Sequence, residues 1–205
     1  MRLIRNHWFD WGLLIAVITS VVVFTNLEKF SSVKLILWLN FIFLLLHQFE
    51  EYRFPGTFPF FFNKYINKSP MPDRYPLNTH SAFIINVLFG WIGYLIAIEF
   101  GERIVLIGMM VIFASLLNFV AHVFIANIKA KTFYNPGMAT SLLLFLPLAI
   151  FYFMEISKSN IPAGEYLYGA AASIAVTAAG IIFPVKIFAE KNTPYVFDKR
   201  KMWKD

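Results

Sequence analysis

The sequence predicts an all-α fold, a polytopic integral membrane bundle of about six transmembrane helices, and three observations carry that expectation. Of the 205 residues, 59% are hydrophobic and only 15% are charged, which leaves more apolar chain than the core of one soluble domain can bury. That apolar chain is gathered into six long segments. With six segments drawn, all but four of the 18 Lys and Arg residues, namely Lys29, Lys34, Arg103 and Lys158, fall on one side. Losing or merging a segment would scramble this asymmetry.

The segments cover residues 11–24, 34–51, 81–100, 103–127, 137–155 and 165–188. The first is short for a span unless residues 8–27 contribute. Arg2 and Arg5 precede it as in a signal peptide, but Phe24-Thr25-Asn26-Leu27-Glu28 offers no small-residue cleavage site, so a retained helix is expected. The second segment is apolar from Val33 to Leu46, apart from Lys34 and Asn40, and then places His47, Glu50 and Glu51 at its end. In the third, Asn86, Gly90 and Gly93 form a stripe of small and polar residues; in the sixth, Gly169, Ser173 and Thr177 form another. Both stripes are read as close helix packing. Ser115, Asn118 and His122 fall at spacings of three and four late in the fourth segment, which puts them on one face. The fifth opens at Tyr134-Asn135-Pro136-Gly137, with Asn135 read as N-cap and Pro136 at the first helical position, aiming free N–H groups toward the same level. Pro147 and Pro184 are expected to kink their helices.

Residues 1–190 are read as a single transmembrane helical domain and 191–205 as a basic cytoplasmic tail. The connection at 53–79 is too aromatic for a solvated loop and too interrupted by Pro and Gly for a span. It is expected to lie in the membrane interface over the site like a lid. Trp8, Trp11, Trp38, Tyr52, Tyr65, Tyr75, Tyr134 and Trp203 cluster near the segment ends, where an apolar body with a polar handle is favoured. The basic excess puts both termini in the cytoplasm, with the plasma membrane as the expected location. Lys199-Arg200-Lys201 would lie against anionic headgroups. The net charge of +6 is what positive-inside topology produces, so membrane lipids are the expected partners and nucleic acid is not. The absence of cysteine excludes disulfides and thiolate metal sites.

His47, Glu50 and Glu51 share an arc of roughly 100° on a helix, a metal-ligand or proton-transfer set. The bland alternative is a solvated helix end with Arg53 paired to Glu50 or Glu51. Two adjacent carboxylates at a helix C-terminus oppose the negative end of its dipole, so the pair calls for a cation or a proton. His122, the start of the fifth segment and His80 at the start of the third reach the same membrane level. Four segments thus bring their least membrane-like residues to one depth.

The motifs His47-Gln48-Phe49-Glu50-Glu51, Asn118-Phe119-Val120-Ala121-His122 and Tyr134-Asn135-Pro136-Gly137 make the chain resemble the HXXEE-domain family of integral membrane proteins, recognised by HxxEE, NxxxH and YxPG. The resemblance implies membrane location and the motif residues but no reaction. The chemistry must come from the residue set. His47, Glu51 and His122 supply the two or three His and carboxylate ligands of a divalent metal, zinc first and iron as the alternative, with a position left open for water. The run is similar to an inverted zincin H-x-x-E-H whose last His is Glu51. Glu50 is then the catalytic candidate for handling a proton, or a second carboxylate ligand, and one metal is favoured over two. Asn118, Tyr134, Asn135, His80 and Arg53 are candidates for substrate or outer-sphere contacts. These features favour a metal-dependent enzyme, foremost a hydrolase, acting on a lipidic or amphipathic substrate. A proton- or cation-coupled transporter and an iron-dependent oxidoreductase are the alternatives.

Overall fold

A computed structural model describes residues 2–198. Six helices in it are long and apolar enough to cross a membrane: α1 (Leu3–Phe24), α2 (Ser32–Tyr52), α3 (Thr79–Phe100), α4 (Val105–Ala130), α5 (Met138–Ile156) and α6 (Ala163–Ile187). The described residues contain no strand, so the all-α membrane bundle expected from composition is what the chain forms. α1 is longer than its apolar stretch alone, because its first turns bury Trp8 and Phe9 under the loop side of the bundle. The basic run at 199–201 lies outside the described residues.

The helix order is set by which stripe each segment can bury. α2 is the central helix, with α1, α3, α4 and α5 packed around it. Leu37, Phe41, Leu44 and Leu45 of α2 meet Tyr94 and Ile98 of α3, Met109 and Ile112 of α4, and Phe145, Leu148 and Tyr152 of α5 in one core. α6 lies along α4 on the outside. α2 starts where Ser31 Oγ accepts the Lys34 N–H at 3.1 Å. Lys34 Nζ reaches across to the Ile98 carbonyl near the end of α3. Midway along the bundle, Ser115 Oγ donates to Asn40 Oδ1 at 2.8 Å and lies 2.9 Å from the Tyr94 hydroxyl. Asn40 is thus a helix-to-helix hydrogen bond, as its place on α2 suggests. Such bonds contribute about 0.6 kcal/mol each inside a membrane, so they fix register more than they hold the bundle together.

α3 and α4 meet through glycine. A Cβ on Gly101 would stand 2.9 Å from the Gly108 Cα, and one on Gly108 would stand 2.5 Å from the Tyr152 hydroxyl. On α6, a Cβ on Gly169 would meet the Met109 Cβ at 2.8 Å, so that glycine packs closely against α4 as its stripe predicts. Gly93 does not behave this way: no atom lies within 4 Å of where its Cβ would be. The packing expected of the stripe holds at Gly90, where a Cβ would meet Gln48 Nε2 at 3.4 Å and Leu44 Cδ2 at 3.8 Å on α2, and is corrected at Gly93, which faces a cavity.

The connection between α2 and α3 carries a short helix, Phe58–Phe61, continuing in wider π geometry as Phe62–Ile66. It folds around Asn63, which is fully buried. The Asn63 side chain donates to the carbonyls of Pro72 and Leu77 at 3.0 and 2.8 Å and accepts the Leu77 N–H at 3.0 Å. Asn78 begins α3 with a capping box shared with Ser81 and also donates to the Phe188 carbonyl beyond α6 at 2.8 Å. Trp8, Tyr52, Phe60, Leu77 and Phe197 close this end in a second apolar cluster.

Substituting Gly108→Val forces a side chain into Tyr152 and the Gly101 carbonyl, and overpacking of this kind costs about 1–3 kcal/mol. The thermal midpoint of the detergent-solubilised variant falls, whereas Gly93→Ala leaves it in place.

Candidate metal centre

At the end of α2 the ionisable residues are not solvated. His47 is 2% exposed, Glu50 8% and Glu51 6%, which rules out the bland reading of this helix end. Arg53, a candidate for a contact here, instead turns to α1, where its Nε lies 2.9 Å from Asp10 Oδ1. His80 is also absent from the site. Its ring packs against Phe188 and Tyr195, with centroids 4.7 and 4.9 Å apart.

Adjacent positions on a helix diverge by about 100°, and Glu50 and Glu51 use that divergence to face different partners. Glu50 meets the start of α5. Its Oε1 accepts the Tyr134 hydroxyl at 2.9 Å and the Ala139 N–H at 3.2 Å, and its Oε2 accepts the Thr140 N–H at 2.9 Å and the Thr140 hydroxyl at 2.6 Å. A carboxylate on the free N–H groups of a helix N-terminus is doubly favourable, through hydrogen bonds and through the helix dipole. Burial, and then the neighbouring Glu50 carboxylate, push the Tyr134 hydroxyl above its ordinary pKa, so it stays a donor. With four donors on its two oxygens, Glu50 is not a free base. Its place in the structure is to anchor the start of α5.

The N–H groups at the start of α5 do point into the site, but Asn135 is not the cap. Gly137 holds that place, at φ +99°. The Asn135 amide is fully buried and occupied elsewhere. Its Nδ2 donates to the His122 carbonyl at 2.7 Å and to Asn127 Oδ1 at 2.8 Å, which leaves Oδ1 facing His122 Nδ1 at 2.7 Å. His122 Nδ1 therefore carries the hydrogen. For His47 the same follows from Thr140. The single hydroxyl proton of Thr140 goes to Glu50, so toward His47 Nδ1, 2.9 Å away, the hydroxyl accepts. These tautomers are assigned from the hydrogen-bond network.

Both imidazoles thus turn Nε2 toward one point, where a metal ion or, at His122, a proton shared with Glu51 can sit. Glu51 Oε1 lies 3.7 Å from His47 Nε2 and 3.3 Å from His122 Nε2. The rings stand nearly perpendicular, with centroids 4.9 Å apart. His47 Nε2 has no hydrogen-bond partner. Two ring nitrogens and a carboxylate oxygen facing one another repel unless a cation or a proton lies among them. The donor atoms all lie within 4.8 Å of one another, and the two shorter separations suit donors sharing one ion through bonds of about 2.0–2.2 Å. Each ring is oriented by a bond at its other nitrogen, as in protein metal sites.

Gly137 makes the approach of the rings possible. A Cβ there would stand 2.5 Å from His122 Cε1 and 2.8 Å from His47 Cε1. His122 itself lies in a π-helical turn, Ala121–Ala126, a widening often found at functional sites. Phe58 of the loop helix packs on the His122 ring, centroid to centroid 5.0 Å. Asn118 lines a cavity of about 380 Å³ that reaches His47 and Glu51 between α2, α3, α4 and α6. Thr140, within reach of the site by its place one turn into α5, proves to be the link between Glu50 and His47.

A family model described as "Protein of unknown function with HXXEE motif" matches residues 38–152, more than half of the chain. No curated protein and no solved structure is significantly similar to the chain.

Replacing Gly137 with Ala strains a positive-φ position and drives a methyl group into both imidazoles. The variant is expected to lose about 1–3 kcal/mol of stability, read as a lower thermal midpoint. Gly164→Ala, where a Cβ meets only the Tyr168 ring at 3.7 Å, is the control.

Proposed function

Because the chain belongs to the HXXEE family, which carries no assigned reaction, we propose from the geometry that it is a membrane-embedded metalloprotein, foremost a zinc-dependent hydrolase of an amphipathic substrate. The observation that carries this reading is the convergence of the two Nε2 atoms on Glu51 Oε1. His47, His122 and Glu51 would hold the ion. Held by two His and one carboxylate, a zinc ion would supply an acidified water and a polarising charge for a carbonyl or phosphoryl oxygen.

The other residues prepare that centre. Thr140 and Asn135 hold the two imidazoles in the ligating tautomer, and Asn118 on the cavity wall orients substrate. Glu50 supports His47 through Thr140. Glu51 accepts no backbone N–H among the described residues, so its second oxygen takes the proton role first expected of Glu50. Phe58 covers His122 and excludes water, which strengthens electrostatics inside the site. Iron in the same ligands would move the chemistry to oxidation. The site lies at the end of the bundle where α1 begins and α6 ends, and the basic excess on that side supports a cytoplasmic orientation in the plasma membrane.

The test is elemental analysis of protein purified without chelators or a histidine tag. About one zinc per chain is expected, with affinity at least 10-fold weaker in His47→Ala, His122→Ala and Glu51→Gln. Glu50→Gln keeps its metal but loses a charged acceptor worth about 1.5–3 kcal/mol, so its thermal midpoint falls. Iron in place of zinc selects the oxidative reading, and no metal after incubation with either ion sinks the proposal.

Orientation is measurable because the chain has no native cysteine. Ser69→Cys is expected to react with a membrane-impermeant maleimide only after cells are opened, and Ser157→Cys in intact cells.

A further inference from the structure

The cavity that reaches His47 and Glu51 continues well past them. Its polar residues gather at the site end, where Gln48, Asn86 and Asn118 join His47 and Glu51. Beyond them the walls are Phe89, Ile96, Ile107, Met110, Val111 and Val176, with Tyr94, Ser173 and Thr177 the remaining polar side chains. The lining runs from Ile85 to Ile96 on α3 and from Ile107 to Asn118 on α4. At 1.5 Å per residue, each wall is about 16 Å long.

Size and shape agree on one kind of occupant. If a methylene takes about the volume of a water, about 30 Å³, the cavity of about 380 Å³ holds roughly twelve. An extended hydrocarbon advances about 1.25 Å per carbon, from its bond length and angle, so roughly twelve carbons also span the length. The void exists because Gly93 presents open space where a side chain would stand. Phe89, Ile96 and Val176 line the cavity and are also 53%, 45% and 56% exposed on the outer surface of the bundle. Access therefore opens sideways between α3 and α6, from the hydrocarbon of the bilayer.

We propose that this cavity takes the single unbranched chain of an amphiphile, about twelve carbons deep, and sets its polar group at the His47, Glu51 and His122 cluster. The proposal rests on the metal-site reading for its headgroup and on the cavity alone for its chain. A diacyl lipid inserts only one of its chains, and the other stays in the bilayer.

The experiment measures dissociation constants in lipid nanodiscs for zinc-loaded wild type and Gly93→Leu. The probes are straight-chain alkanoyl hydroxamic acids and n-alkanols, referred to their concentration in the membrane. Across chains of about six to eighteen carbons, wild-type affinity is expected to peak near twelve and to weaken about tenfold for the longest, which overfill the cavity. Gly93→Leu moves the optimum to shorter chains with its zinc content unchanged. Hydroxamates are expected to bind more tightly than alkanols of equal length. Alkanols that show the optimum while hydroxamates gain nothing would keep the channel and remove the metal from it. Hydroxamates that bind with no optimum, or with the same optimum in Gly93→Leu, would overturn the proposal and leave the metal centre standing.

Discussion

A carboxylate that closes the N-terminus of one transmembrane helix from the C-terminus of another is the contact around which this bundle's site is built. Glu50 accepts two backbone N–H groups and two hydroxyls from the stretch around the start of α5. The first N–H groups of a membrane helix have no partner within the helix, and leaving them bare in a dry environment is costly. The Glu50 charge has the same problem, and each solves the other's. The consequence reaches the candidate metal centre through one side chain, because the Thr140 hydroxyl that donates to Glu50 must then accept from His47. The His47 tautomer is thus fixed by a helix cap.

Two further constraints complete the centre. Gly137 has no side chain at the point where the imidazoles come together, and its left-handed backbone turns the chain into α5 there. Asn135, two residues earlier, spends its amide on His122 and Asn127. The Tyr134-to-Gly137 segment therefore contributes a donor to Glu50, an acceptor to His122 and an absent side chain between the rings. Each residue of that motif except Pro136 has a separate physical task, which explains why four consecutive positions are needed rather than one.

Much of this was legible in the chain, for identifiable reasons. The six helices follow from apolar length, and the grouping of His47, Glu51 and His122 follows from helical spacing combined with depth. What was not legible depends on direction. The 100° between Glu50 and Glu51 can be computed from sequence, but which of them meets α5 and which meets His122 is set by where those elements pack. Asn135 has the composition of a cap and the position of one, yet His122 competes for its amide and wins. A stripe such as Asn86, Gly90 and Gly93 reads the same whether a neighbouring helix presses against it or nothing does. Only the tertiary arrangement showed that Gly93 faces a void and that Gly169, in a similar stripe, faces Met109.

The link between Glu50 and α5 also imposes a timetable. Its acceptor and its backbone donors lie 89 and 90 residues apart, and chains are made and inserted from the N-terminus. α2 is therefore in the membrane, with His47, Glu50 and Glu51 near its boundary, while Thr140 has yet to leave the ribosome. Until α5 arrives, Glu50 lacks the four donors that compensate its charge in the folded chain. The centre therefore closes only on a chain that has placed its fifth helix against α2.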